Sequence, residues 1–203
     1  MPHTEQTPWG PWEPAPLDQV VALFQGLDAP WWVSGGYAVE LAVGRAYREH
    51  GDVDVSVLRR DQRAVRRLLA GWDYHVADPP GTLRPWPVDE TLPDRAHDIW
   101  VREHPGGPWR FQLMLDEADG DTWVYRRDAR IRRPLATVTA DAGGFLRLAP
   151  EIQLLFKAKD SRPKTELDFD QVLPLLTAQQ RAWLDGALGV EYGTHPWRER
   201  LRG

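Results

Sequence analysis

The sequence contains no cysteine, which excludes disulfide frameworks, sulfur-ligated zinc or iron–sulfur sites and thiol nucleophiles. Any metal must then rest on carboxylates or histidines, and a hard, oxygen-ligated ion is the expectation. No apolar run approaches the ~18 residues of a membrane span, and the N-terminal stretch lacks the basic and apolar regions of a secretory signal. The chain therefore reads as cytoplasmic. Walker A and dinucleotide-type glycine patterns are missing, and none of the six histidines is spaced as in His-x-x-x-His. Ser34, Ser56 and Ser161 lack the context of a nucleophile elbow. Excess positive charge is missing too: a formal charge of -5 argues against a protein that coats nucleic acid. A local basic stretch survives at Arg126, Arg127, Arg130, Arg132 and Arg133.

Within the 203 residues the composition is that of a globular domain, 42% hydrophobic and 27% charged, and unusual mainly for its eleven tryptophans. Residues 1–16 carry Pro2, Pro8, Pro11, Pro14 and Pro16, which predict an extended lead-in. Helical spacing follows over Asp18–Leu27, then a short strand at Trp31–Val33, a Ser34-Gly35-Gly36 turn and a helix over Tyr37–Val43 closed by Gly44. Asp52–Leu58 alternates as a half-buried strand, and Asp61–Ala70 reads as a basic amphipathic helix. Further strands are expected over Trp72–Ala77, Asp98–Arg102, Trp109–Leu115, Thr122–Arg126 and Phe145–Leu148. The chain then turns helical. Pro150 suits a first helical position, Thr165–Leu173 follows, and Thr177 with Gln180 forms a capping-box pair opening a third helix. The expectation is an α/β (α+β) fold with a small mixed sheet flanked by helices. Residues 1–16 are the lead-in, 17–148 the α/β lobe and 149–203 a small helical lobe.

The informative segment runs from Trp31 to Leu58. Two aspartates two apart on a strand, Asp52 and Asp54, point to one side with backbones roughly 6–7 Å apart. Like charges so placed repel, and Asp is disfavoured in strands, so the pair calls for a cation. Mg²⁺, which takes one or two carboxylates plus phosphate oxygens and water, answers that need. Glycines allow close approach of backbone to phosphate, and a helix N-terminus favours an anion.

The residues Trp32-Val33-Ser34-Gly35-Gly36-Tyr37-Ala38-Val39-Glu40, Gly44-Arg45 and Arg48-Glu49-His50-Gly51-Asp52-Val53-Asp54-Val55 together resemble the nucleotidyltransferase superfamily typified by DNA polymerase beta. Within it, the pattern resembles the small lincosamide and aminoglycoside adenylyltransferases. A second stretch, Ala149 to Lys159 with Arg162-Pro163-Lys164 and Asp168-Phe169, is similar to the helix that closes the nucleotide cleft in such proteins.

The resemblance implies a reaction. Asp52 and Asp54 hold Mg²⁺ or Mn²⁺, the ion orients a nucleoside triphosphate, with ATP the leading choice, and the nucleotidyl group passes to a small-molecule hydroxyl as pyrophosphate leaves. Ser34, Gly35 and Gly36 become phosphate contacts, with Lys157, Lys159 or Lys164 at the β- and γ-phosphates. Lys164 and Asp168, four apart, could instead pair with each other. The family's third carboxylate falls on a following strand, where this chain carries Gln112. Asp116 is the nearest acid sharing its face, ~13 Å along the strand, and Glu117 and Asp98 are further candidates. Gln112, Trp100 and Trp109 are candidates for the acceptor side. Two alternatives stay open: a toxin-like nucleotidyltransferase acting on RNA or protein, supported by the arginine cluster, and a catalytically reduced nucleotide-binding module, motivated by Gln112.

Overall fold

Proline and glycine positions punctuate the chain as their backbone chemistry requires. The computed structural model describes residues 5–203, so the first four residues of the expected lead-in lie outside the described residues. In chain order the elements begin with β1 (Glu5–Thr7), β2 (Gly10–Trp12), α1 (Leu17–Phe24), β3 (Trp31–Ser34), α2 (Gly35–Val43) and β4 (Asp54–Leu58). They continue with α3 (Gln62–Leu68), β5 (Asp73–Val76), β6 (Arg84–Pro85), β7 (Asp98–Arg102), β8 (Phe111–Asp119), β9 (Thr122–Val124), β10 (Arg132–Pro134), β11 (Thr139–Asp141) and β12 (Leu146–Leu148). Four helices end the chain: α4 (Pro150–Lys157), α5 (Pro163–Val172), α6 (Ala178–Tyr192) and α7 (Pro196–Arg202). The fold is α+β. Two compact units share these elements, one holding the described residues up to Val33 with Glu49–Asp116, the other Ser34–Arg48 with Glu117–Gly203.

In the first unit the strands run in the order β3-β4-β8-β7-β5-β6. Strands β4 and β8 are parallel, pairing Asp54 with Gln112 and Leu58 with Asp116, while β7 lies antiparallel on the other side of β8 and pairs Trp100 with Gln112. Val55, Val57, Ile99, Val101, Phe111, Leu113 and Leu115 are buried, as the alternation of apolar residues on these strands requires. From α1, Val20, Val21 and Phe24 join this core, the Phe24 ring meeting Phe111 edge to face at 5.6 Å. The lead-in is more than an extended tail. Its described part forms the β1–β2 hairpin and then runs beside residues 109–110, where Glu13 donates to the Trp109 carbonyl and Ala15 to that of Arg110.

In the second unit β9 pairs with β10 and with the end of β8, and β11 with β12. The helices close over Trp123, Tyr125, Ile152, Leu155, Phe169, Leu184 and Leu188, all buried. Phe169 of α5 stacks on Trp197 of α7 with ring centres 4.1 Å apart and planes within 8°. The capping box is formed: Thr177 Oγ1 accepts from the Gln180 amide N–H, and the Gln180 side chain accepts from the Thr177 N–H.

Several expected boundaries shift. The strand expected over Trp109–Leu115 is β8, and that expected over Thr122–Arg126 stops at Val124 because the chain turns, Asp128 N–H bonding to the Tyr125 carbonyl. Strands β10 and β11 and helix α7 carried no expectation.

Candidate active site

The acidic part of the site is built on three adjacent strands of the first unit. Strand β4 starts at Asp54, and Asp52 stands two residues earlier. Val53 between them is buried and its carbonyl accepts from the Gln112 N–H at 2.9 Å, so pairing with β8 already holds the chain before β4 begins. Asp52 and Asp54 are both half-buried. The Gln112 side chain lies between Asp54 and Trp100: its amide nitrogen donates to Asp54 Oδ1 at 2.8 Å and its oxygen accepts from Trp100 Nε1 at 3.0 Å. The partners dictate that orientation, because an indole N–H only donates and an ionised carboxylate only accepts.

Strand geometry separates the other acids. Asp116 is buried opposite Leu58, four residues along β8 from Gln112 and so ~13 Å away. The structure does not bring it to Asp54. Asp98 pairs with Met114, and Glu117 lies beyond Asp116, opposite Val124 of β9. Among the described residues no cluster of three or more histidines or acids could hold a metal ion. Asp52, just before β4, and Asp54, its first residue, offer two carboxylates two positions apart, which fits Mg²⁺, an ion that draws its remaining ligands from phosphate and water.

The tryptophans divide. Trp109, expected on the acceptor side, is a core residue: it is 1% exposed, its indole N–H bonds to the Trp9 carbonyl at 3.0 Å, and the Arg102 guanidinium covers its ring at 4.2 Å. Trp100 is half-buried, and its ring meets Trp9, Trp12 and Trp109 edge to face.

The glycine turn and the lysines belong to the second unit. Ser34 precedes α2 as its N-cap, and Gly35 opens the helix at φ +66°, a left-handed conformation that favours glycine. The Gly35 N–H donates to Gln153 Oε1 of α4 at 2.7 Å. Sequence reasoning missed this clasp, since nothing in the spacing links residues so far apart. Asp168, fully buried on α5, accepts from Tyr47 Oη at 2.7 Å, from Arg48 Nε at 2.7 Å and Nη2 at 3.0 Å, and from Lys157 Nζ at 2.8 Å. Burial pushes its carboxyl up, but the hydrogen bonds and charges of Arg48, Lys157 and Tyr47 outweigh that and hold it below the usual carboxylate value.

One expectation is corrected by this cluster. Asp168 pairs with Arg48 and Lys157, not with Lys164, which is exposed in the first turn of α5. Lys157 is engaged by a buried carboxylate, while Lys159 is exposed. Desolvation at its ammonium end, then the positive charges of Arg127, Arg126 and Arg162, pull Lys159 below its ordinary pKa against the opposing charge of Asp160. The arginines at 126–133 are drawn into the fold: Arg127 bonds to Tyr125 Oη and the Phe156 carbonyl, Arg130 pairs with Asp128, Arg132 with Asp119 and Arg133 with Glu151. Arg126 lies over the Phe156 ring. A pocket of about 520 Å³ in this unit, lined by Arg133, Arg147, Glu151, Gln180 and Trp183 among others, contains none of the residues expected in the site.

Comparison with known proteins bears on these residues. A family model described as aminoglycoside-2''-adenylyltransferase matches residues 16–133, a stretch that includes Gly35, Asp52, Asp54 and Gln112. Among solved structures, the chain is similar to the lincosamide antibiotic adenylyltransferase LnuA bound to lincomycin, with a TM-score of 0.53 and 16% identity over 79% of this chain and 96% of that one. It is also similar to the antibiotic-resistance factor ANT(2'')-Ia in solution, at a TM-score of 0.55 and 14% identity over 87% and 91%. A complex of ANT(2'')-Ia with adenylyl-2''-tobramycin gives 0.52 and 13% over 86% and 95%. Identities this low establish the fold alone. No curated protein sequence matches the chain.

Proposed function

The chain belongs to the aminoglycoside-2''-adenylyltransferase family, and from that premise we propose that it is a Mg²⁺-dependent nucleotidyltransferase acting on a small-molecule hydroxyl. The donor is a nucleoside triphosphate, with ATP the leading choice, and the acceptor is aminoglycoside- or lincosamide-like. The observation that carries this reading is the pair Asp52 and Asp54 at the start of a strand tied residue by residue to β8, inside the stretch the family model matches. Asp52 and Asp54 would hold the ion, Mg²⁺ or Mn²⁺, which when bound neutralises phosphate charge. Ser34, Gly35 and Gly36 would contact phosphate at the start of α2. Lys159 suits the outer phosphates better than Lys157, because it is exposed and Lys157 is already paired with Asp168. In the reaction the acceptor oxygen bonds to the α-phosphorus as the bond to the bridging oxygen breaks, pyrophosphate leaves, and the hydroxyl proton is released.

Incubation with labelled ATP, GTP, CTP or UTP, Mg²⁺ and panels of aminoglycosides and lincosamides tests the reading. A labelled acceptor and free pyrophosphate are expected. No nucleotide binding, with no effect of Asp54→Ala, would sink it.

One observation favours a second reading. Gln112 stands where the family's resemblance places an acid, and an amide is no base at neutral pH. A nucleotide-binding module without transfer would hold ATP intact in the same assay. The toxin-like reading draws less support from the structure than from the sequence, since Arg127 and Arg133 are engaged within the fold, while Arg130 and Arg132 keep exposed ion pairs.

A further inference from the structure

We propose that Gln112 is a positioning residue that holds the metal ligand Asp54, and that Trp100 sets the direction of its amide. This rests on the metal-dependent reading above. The strand register supplies the geometry: β8 places Gln112 directly across from Asp54 on one side and from Trp100 on the other, so the three residues form one row across the sheet. The Trp100 indole can only donate, so it captures the amide oxygen at 3.0 Å and turns the amide nitrogen toward Asp54 Oδ1, 2.8 Å away. An acid at position 112 would set two like charges at that separation and would need a cation between them to be tolerated. A glutamine removes the repulsion, so Asp54 has the same neutral donor before and after an ion arrives. A carboxylate has about four lone-pair sites, so the amide bond to one oxygen does not by itself fill the group. Outer residues that orient a metal ligand in this way typically change metal affinity 10–100-fold when removed.

The test uses the full chain and Mn²⁺ as the probe, with affinity measured by titration calorimetry in the presence of a non-hydrolysable ATP analogue. Gln112→Met keeps the length of the side chain and removes both hydrogen bonds, and it is expected to weaken Mn²⁺ binding by about 10-fold or more. Trp100→Phe keeps Gln112 but frees its amide, and an intermediate loss is expected. This variant also serves if Gln112→Met fails to fold. Gln112→Glu is expected to show a larger rise in Tm on adding Mn²⁺ than the unaltered chain does, because the ion relieves the new charge pair. In chain labelled with ¹⁵N at tryptophan, Mg²⁺ should shift the Trp100 indole resonance, and Gln112→Met should abolish that shift. A glutamine that only joined strands would leave this response unchanged. Mn²⁺ affinities of the folded variants within twofold of the unaltered chain would overturn the inference alone. Failure of the unaltered chain to bind Mn²⁺ would overturn the proposed function, and the inference with it.

Discussion

Lys157 Nζ lies 2.8 Å from Asp168 Oδ2, joining the end of α4 to the buried face of α5. The lysine sits where a helix C-terminus favours a cation, and its side chain is only 15% exposed. Asp168 has no exposure and also accepts from Arg48 and Tyr47. A basic residue in the second stretch of family resemblance is thus engaged in binding its own fold together.

Asp168→Asn should destabilise the protein by about 3–5 kcal/mol, because it leaves two cations largely buried without their anion. Urea unfolding at neutral pH would measure this. The pH dependence follows from the depressed pKa of Asp168. The native state keeps it ionised where the unfolded chain already takes up a proton, so its stabilisation is fully present above the ordinary value of 3.8 and is lost as pH falls through the lower native value. Asp168→Asn should therefore show a flatter decline in stability below about pH 4 than the unaltered chain.

Asp52→Asn and Asp54→Asn should each lower nucleotidyl transfer by roughly 10³-fold, the equivalent of several kcal/mol of charge stabilisation at the phosphates. Pyrophosphate release under saturating Mg²⁺ and ATP would report it.

Local chemistry was readable in the sequence, and distant partnership was not. The strand Asp98–Arg102 and the Thr177–Gln180 capping box occur where alternation and spacing predict them. Pro150 opens α4, as its missing N–H allows. Strand β10, Arg132-Arg133-Pro134, shows no alternation of apolar residues, so only its pairing with β9 identifies it. Asp168 illustrates the same limit at the site. A partner four residues away at Lys164 is what helical spacing offers, yet those it takes are Lys157, Tyr47 and Arg48, the last 120 positions distant. Trp109 and Trp100 look alike in sequence, and the lead-in running beside residues 109–110 makes the first a core residue. The position of Gln112 opposite Asp54 depends on the pairing of two strands more than fifty residues apart, which periodicity cannot state.

Thr177→Ala should cost about 1 kcal/mol through loss of the helix cap. Gln180→Ala should cost more, by about another 1 kcal/mol. The Gln180 amide also donates from Nε2 to Glu151 Oε2 at 2.8 Å, and Glu151 is buried with its other oxygen on Arg133. Thermal melts of the two single variants would rank them. Equal losses would show that the bond to Glu151 contributes nothing beyond the cap.

Gly35 and Gly44 stand at opposite ends of α2, at φ +66° and +78°, and comparing them separates backbone strain from ligand binding. An alanine at either position costs about 1–2 kcal/mol for the left-handed backbone. At Gly44 a new Cβ would meet nothing within 4 Å, so strain is the whole effect there. Gly44→Ala should lower Tm and leave nucleotide binding as it was. Gly35→Ala should lower Tm by a similar amount and also weaken ATP binding, because the turn proposed to contact phosphate would be displaced from the Gln153 clasp that holds it. Calorimetric titration of both variants with ATP and Mg²⁺ decides between the roles: equal affinities would make the Ser34–Gly36 turn a structural element alone.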